Sequence, residues 1–147
     1  MRLNEIMSAF GAEVGLSDLA ADENGTYQLD IDGMPVSVME VVESDQVVIW
    51  SRLGALPSEG RASLYRQMLS AMAPGGEAAG AVFSFERETD TLYLHRVEDV
   101  RLLDLGGFKT VLERFADLLE KWRGQLADFR PETEASAASD EDGFVRI

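Results

Sequence analysis

The sequence predicts a two-layer α+β fold with the element order α-β-β-β-α-β-β-α and a mainly antiparallel, twisted sheet. Three observations predict it. Apolar residues recur at helical spacing at the start, in the middle and after residue 105, strand patterns lie between these segments, and short turns join most neighbouring strands. A parallel doubly wound sheet would need a helix between every two strands, and this order does not supply one.

The first helix is predicted over residues 2–15. Leu3, Ile6 and Phe10 are spaced so that they fall on one helical face, and Gly15 is a suitable helix stop. The helix is therefore amphipathic, with one face available for packing.

A three-stranded meander follows, at about residues 27–31, 34–42 and 46–53. Asp32-Gly33 is the residue pair that a tight type I′ hairpin turn requires, because both central residues of that turn have positive φ. The second turn is the short polar segment 43–45. Both connections are too short for a crossover, so the three strands are predicted to be antiparallel.

Strands two and three have apolar side chains on both faces, unlike strand one, which alternates. The apolar residues concerned are Val36, Val38, Met39, Val41, Val42, Val47, Val48, Ile49 and Trp50. An antiparallel sheet in a small protein usually has one face in water. These strands therefore predict that something covers the second face.

The second half of the chain predicts a helix over residues 58–73, a hairpin of strands 81–86 and 91–97 with its turn at 88–90, and a long final helix with Asp104 as a possible cap. The final helix has the longest apolar stripe in the chain. Its members are Phe108, Val111, Leu112, Phe115, Leu118, Leu119, Trp122 and Leu126.

The chain is expected to form one domain over residues 1–130, because its 147 residues are the size of a single typical domain. Beyond Pro131 the composition changes to Glu, Ala, Ser and Asp with no apolar period. Residues 131–147 are therefore predicted to be a flexible acidic tail.

Composition excludes several classes of function. Thirteen Lys and Arg against 27 Asp and Glu give a net charge of −14, which repels nucleic acids and anionic membranes. The chain has no cysteine, so it can form neither disulfides nor thiolate metal sites. No apolar run approaches the length of a membrane span, and no signal peptide is recognisable. A cytoplasmic protein is expected.

No catalytic, metal-binding or cofactor-binding motif is recognisable. His95 is the only histidine, and the serines lack a nucleophile-elbow motif. The glycines at 75, 76 and 80 lack the lysine of a phosphate loop, and Asp140-Glu141-Asp142-Gly143 lacks the alternating ligands of a calcium loop. The sequence therefore predicts neither an enzyme nor a cofactor.

The excess of apolar residues on the strands has two explanations. The strands could be enclosed between the chain's own helices, or they could face a second subunit and a client polypeptide. The methionines fit both explanations, because flexible thioethers fill cores and also adapt to varied partners.

The pattern resembles the class I type III secretion chaperones, the Tir-chaperone-like family, over about residues 1–127. The resemblance rests on the first helix, the hairpin strand, the end of strand three, the start of helix two and the last helix. The residues that carry it are Leu3, Ile6 and Phe10, the segment Tyr27-Gln28-Leu29-Asp30-Ile31-Asp32-Gly33, Trp50-Ser51-Arg52-Leu53-Gly54, Leu56-Pro57, and Phe108, Leu112, Phe115 and Trp122. The tail after Pro131 lies outside the usual plan of this family.

The resemblance implies an ATP-independent homodimer that binds the N-terminal chaperone-binding segment of a secreted effector in extended form and keeps it soluble for secretion. It places the dimer contact on helix two and the second hairpin, with Leu64, Met68, Leu69, Met72, Phe83 and Phe85. It places the client contact on the first helix and the meander, with Leu3, Phe10, Leu29, Ile31, Val36, Val38, Ile49 and Trp50.

Two other functions are compatible with the sequence. The net charge alone would suit an acidic inhibitor or immunity-type protein that blocks a basic enzyme or nucleic-acid-binding site. No motif in the sequence indicates a small enzyme or a ligand-binding domain. A deep polar pocket around His95 would be needed to favour that function.

Overall fold

The computed structural model describes residues 1–130, and the predicted tail over 131–147 lies outside the described residues. The elements are α1 (Leu3–Val14), β1 (Thr26–Ile31), β2 (Met34–Val41), β3 (Gln46–Ala55), α2 (Arg61–Ala71), β4 (Val82–Glu86), β5 (Thr91–Asp99) and α3 (Leu105–Ala127). Short 3-10 turns follow β2 and β5. The predicted α+β class and element order are confirmed.

One sheet contains all five strands in the order β1-β2-β3-β5-β4, and every neighbouring pair is antiparallel. Asp32 and Gly33 have φ of 53° and 83°, as the type I′ turn between β1 and β2 requires. The long pairing of β3 with β5 joins the two hairpins into one sheet. β1 and β4 are consequently the two edge strands.

The second helix is shorter than the sequence predicts. Gly60 stands before it with φ of 72°, a left-handed conformation that interrupts the helix which Pro57-Ser58-Glu59 would otherwise start. The side chain of Arg61 donates a hydrogen bond to the carbonyl of Pro57 and so holds this loop against the start of α2. α2 therefore begins at Arg61 instead of at residue 58.

The core lies between one face of the sheet, here called the inner face, and the helices. Leu29, Val36 and Ile49 project from β1, β2 and β3 on that face and are buried against α1 and α3. The ring of Phe108 from α3 meets Phe10 from α1 edge-on, with centroids 5.6 Å apart. The helices thus cover one side of the sheet, and the opposite side, the outer face, has no helix on it among the elements described.

The C-terminal half of α3 packs against the end of β3 at Gly54. A Cβ atom at this position would lie 2.9 Å from Leu126 Cδ2, and φ is 154° where β3 and β5 change register. The φ value favours glycine at this bulge, whereas the contact alone could be relieved by a movement of the Leu126 side chain.

Asp104 caps the N-terminus of α3, because its carboxylate accepts a hydrogen bond from the backbone N–H of Gly107 at 2.7 Å. We expect Asp104→Ala to lower the free energy of unfolding by about 1 kcal/mol, since the N–H loses its acceptor. Urea unfolding would measure the loss. Asp104→Asn is the control: it retains a side-chain acceptor and should recover most of the stability, and an equal loss in both variants would contradict the capping role.

Candidate functional site

An apolar groove runs between α2 and the edge strand β4. It has a volume of about 310 Å³ and is here called the α2–β4 groove. Its lining residues are Tyr65, Met68, Leu69, Met72, Phe83, Ser84, Phe85 and Leu92. The ring of Tyr65 stacks on Phe85 with centroids 6.3 Å apart, and the backbone N–H of Phe83 donates to Met72 Sδ at 3.3 Å. These two contacts hold the helix beside the strand.

The α2–β4 groove is open to solvent on its outer side. Leu69 is 66% exposed and Phe85 is 46% exposed, whereas Met68 and Phe83 form the buried floor. One backbone edge of β4 has no strand beside it in the described sheet. Exposed large apolar side chains next to a free strand edge are typical of protein interaction sites.

A second groove, here called the α1–β1 groove, lies at the other edge of the sheet. It also has a volume of about 310 Å³, and its lining residues are Phe10, Val14, Leu16, Leu29, Asp30, Ile31 and Asp32. Val14 and Leu16 are each nearly half exposed. The groove therefore combines an apolar wall, a free edge at β1 and two carboxylates on its rim.

The chain reversal after α1 forms the wall of the α1–β1 groove. Gly15 ends the helix with φ of 77°, and the N–H of Leu16 donates to the carbonyl of Gly11 at 2.8 Å. A Cβ atom on Gly11 would lie 2.8 Å from Leu16 O, so this position needs glycine for the chain to fold back so closely. Leu16 is thereby placed beside Val14.

The outer face of the sheet presents a third apolar surface. Trp50 lies across from His95, and Val48 lies across from Met39 on one side and Val97 on the other. Except for the exposed Val97, these side chains are half-buried, because they shield one another but no helix packs over them. Burial lowers the pKa of His95, and Ser84 Oγ lies 3.3 Å from its Nδ1.

The residues predicted for dimer contact come together in the structure, with one exception. Five of the six line the α2–β4 groove, and Leu64 is buried behind it. Leu69 and Phe85 are the members most open to solvent. Tyr65 also lines the groove, although it was not among the apolar residues at helical spacing that were predicted for the dimer contact. Its position next to Leu64 on α2, facing Phe85, depends on the packing of α2 on β4.

The residues predicted for client contact do not form one surface. Five of them are buried in the core of the protomer, which corrects their predicted exposure: Leu3, Leu29, Val36, Val38 and Ile49. Phe10 and Ile31 line the α1–β1 groove, together with the edge of Leu29, and Trp50 lies on the outer face. The prediction of client contact did not include Val14 and Leu16. Leu16 could have been suspected from the sequence, because it is an apolar residue that directly follows the helix stop.

Within residues 1–130, no three His, Cys, Asp or Glu side chains come together in a way that could hold a metal ion. None of the helices in the same range is long and apolar enough to cross a membrane. Two apolar grooves lie at the two edges of the sheet.

The sequence pattern of the Tir chaperone protein (CesT) family matches residues 5–123. The chain belongs to this family. The match covers α1 from its third residue, α2, all five strands and most of α3, and it ends before the C-terminal turn of α3. No curated protein shows a significant sequence match to this Tir chaperone family member.

Solved structures share the fold of this Tir chaperone family member. A chain of the ExsC–ExsE complex matches with a TM-score of 0.70 and 22% identity, covering 86% of this chain and 97% of that one. A chain of the HopA1–SchA chaperone–effector complex matches with a TM-score of 0.69 and 13% identity, covering 82% and 92%. A chain of the Yersinia pestis type III secretion chaperone SycH with a fragment of YscM2 gives 0.62 and 18%, covering 80% and 97%.

His95 provides a probe of the outer face, because it is the only histidine. We expect its ring protons to titrate with a midpoint below 6.5, since burial disfavours the charged imidazolium. The folded state then binds a proton less readily than the unfolded state, so the free energy of unfolding should fall as the pH falls below about 6.5.

The pH dependence can be measured by NMR titration of the His95 ring and by urea unfolding at several pH values. His95→Gln is the control, because it should remove this part of the slope and leave the contribution of the carboxylates. A midpoint at or above 6.5 would contradict the assignment of a shielded histidine.

Proposed function

We propose that this protein is an ATP-independent type III secretion chaperone that acts as a homodimer. It binds the N-terminal chaperone-binding segment of a secreted effector in extended form and keeps that segment soluble. Membership of the Tir chaperone family and likeness to chains from chaperone–effector complexes support effector binding and a non-enzymatic role. The observation that best supports the proposal is the presence of an open apolar groove beside each edge strand.

The α2–β4 groove is the proposed dimer contact. A twofold interface places the same patch of both subunits face to face, so an apolar patch with projecting side chains can fill its own groove. Leu69 and Phe85 project in this way above the floor formed by Met68 and Phe83. Burial of Leu69 and Phe85 from two copies would remove the largest exposed apolar side chains of this edge from water.

The α1–β1 groove is the proposed client contact. An extended polypeptide can add a strand to the outer edge of β1, because no strand lies beside that edge in the described sheet. The edge is available beyond Thr26, whose backbone N–H and C=O are both paired with Asp22. Apolar client residues can then lie against Val14 and Leu16, and Asp30 and Asp32 on the rim favour a client with basic residues beside its apolar ones. The chaperone thereby supplies backbone hydrogen bonds and apolar burial without any covalent chemistry.

A dimer that uses the α2–β4 groove should be broken by Leu69→Asp, because two carboxylates would be buried at the twofold contact. Leu69 is preferable to Met68, whose substitution would disrupt the core. Light scattering coupled to chromatography should give twice the 16.2 kDa chain mass for the unaltered protein and the single mass for the variant. Leu102→Asp is the matched control, because Leu102 is 87% exposed and does not line the groove. Dimers that survive Leu69→Asp would exclude this interface.

Client binding at the α1–β1 groove should depend on Leu16. We expect Leu16→Asp to weaken binding by roughly tenfold or more, since it places a charge against apolar client residues. Titration calorimetry with the N-terminal segment of an effector from the same type III secretion system would measure the affinity. Val42→Asp is the control, because Val42 is also an exposed apolar residue but lies in the turn after β2, away from the groove.

The same titration at high ionic strength distinguishes the proposed chaperone function from that of an acidic inhibitor. Apolar burial should keep most of the affinity at high ionic strength, whereas binding governed by the net charge of −14 should collapse there. Equal losses in Leu16→Asp and Val42→Asp, or loss of all affinity in salt, would count against the proposed client site.

A further inference from the structure

The outer edge of β1, beside the α1–β1 groove, directs only every second residue's backbone groups away from the sheet. In an antiparallel pair, residues alternate between those whose N–H and C=O bond the partner strand and those whose N–H and C=O point away from it. The two-residue turn at Asp32-Gly33 makes Ile31 a bonded residue of the β1–β2 pair. The outward-pointing residues of β1 are therefore Thr26, Gln28 and Asp30.

The loop before β1 agrees with this alternation and closes one end of the edge. Asp22 Oδ1 accepts a hydrogen bond from the N–H of Thr26 at 3.0 Å, and the N–H of Asp22 donates to the carbonyl of Thr26 at 2.9 Å. Asp22 thus occupies the place that a residue of a neighbouring strand would take. Within residues 1–130, the outward backbone groups that stay open on β1 are those of Gln28 and Asp30.

The geometry of a strand decides which side chains of a bound client enter the groove. Successive side chains of a strand point to opposite faces of the sheet. Client side chains level with Leu29 and Ile31 lie on the inner face, against the groove residues Val14 and Leu16. The client side chain level with Asp30 lies between them in sequence and points to the outer face. This holds for either direction of the added strand.

The charge at that position favours a basic client residue. Asp30 is exposed, and its Oδ1 accepts a hydrogen bond from the N–H of Gly33 at 2.8 Å, which fixes the carboxylate at the edge. Among residues 1–130, no lysine or arginine forms an ion pair with Asp30 or Asp32.

The surroundings of the groove provide no competing positive charge in sequence or lining. Residues 3–51 contain ten Asp and Glu and no Lys, Arg or His, and the groove lining has no basic residue. Lys109 of α3 reaches α1 but is paired there with Glu13 at 2.7 Å. Opposite charges on directly facing residues of neighbouring strands attract, so a lysine or arginine beside Asp30 is favoured.

We propose that the α1–β1 groove selects a client strand with the order apolar–basic–apolar, whose basic side chain faces Asp30, and that Asp22 sets the register of this strand. This inference rests on the proposed client contact at the groove and states which client sequence fits there. A shift by one residue would turn the basic side chain into the apolar groove. A strand that runs on towards Thr26 would meet Asp22.

NMR titration with three capped peptides tests the selectivity. The first is Ser-Ser-Ser-Ile-Lys-Ile-Ser-Ser-Ser, and the other two have glutamate or serine in place of the lysine. At low salt the lysine peptide should bind at least about threefold more tightly than the glutamate peptide. Asp30→Asn should abolish this preference and leave the affinity for the serine peptide unchanged, because asparagine retains the acceptor for Gly33.

Asp32→Asn is the matched control for Asp30→Asn. It removes the same charge from the neighbouring turn, where asparagine before glycine suits a type I′ turn, and it should keep the preference for lysine. Equal binding of the lysine and glutamate peptides would overturn the proposed selectivity. A preference that both variants lose to the same extent would also overturn it.

The serine peptide separates this inference from the proposed function. If it binds and Leu16→Asp weakens that binding, the client contact is supported, and equal affinities of the lysine and glutamate peptides then overturn the selectivity alone. If none of the three peptides binds, or if Leu16→Asp has no effect, the client contact at this groove fails and the selectivity fails with it.

Amide hydrogen exchange tests the register. At saturation the lysine peptide should slow exchange at Gln28 and Asp30 at least about fivefold and leave Thr26 unchanged, because the N–H of Thr26 already donates to Asp22. Asp22→Ala should speed exchange at Thr26 in the free protein, and the peptide should then slow it. Asp18→Ala, in the same loop, is the control and should change none of these rates.

Two results of the exchange measurement would overturn the register. One is a peptide that slows exchange at Thr26 while Asp22 is in place. The other is a peptide that binds without slowing exchange at Gln28 and Asp30.

Discussion

The structure depends on the packing of α1 and α3 against a single face of the five-stranded sheet. Phe108 of α3 and Ile6 of α1 are fully buried at this contact, together with Val36 and Ile49 of the sheet. Because none of the helices described within residues 1–130 lies over the outer face, the apolar residues there are shielded mainly by one another. The same shortage of covering elements leaves β1 and β4 with free edges, and the two apolar grooves lie beside these edges.

The high net negative charge opposes aggregation of the protein through these exposed apolar surfaces. A chain with a net charge of −14 repels other copies of itself at a distance, so association requires a contact with enough apolar burial to overcome that repulsion. Exposed ion pairs, such as Lys109 with Glu13 at 2.7 Å, contribute little to stability. In the proposed function, electrostatics selects the partners and apolar contact determines how strongly they bind.

The parts of the fold that depend on local chemistry could be predicted from the sequence. The turn at Asp32-Gly33 and the cap at Asp104 each follow from a few adjacent residues, and the position of α3 follows from a long apolar stripe. The parts of the fold that depend on packing between distant residues could not be predicted from the sequence. Hydrophobicity alone does not distinguish Val36, which is fully buried, from Leu16, which lies open in a groove, because the difference arises from which helix lies above each residue. The apolar spacing that predicts a helix also does not indicate that Gly60 adopts a left-handed conformation.

The placement of β1 and β4 at opposite edges has a geometric consequence. Four strand spacings of about 4.8 Å separate them, so roughly 19 Å of sheet lies between the two free backbones. The proposed dimer contact and the proposed client contact therefore lie at opposite edges of the sheet and have no lining residue in common.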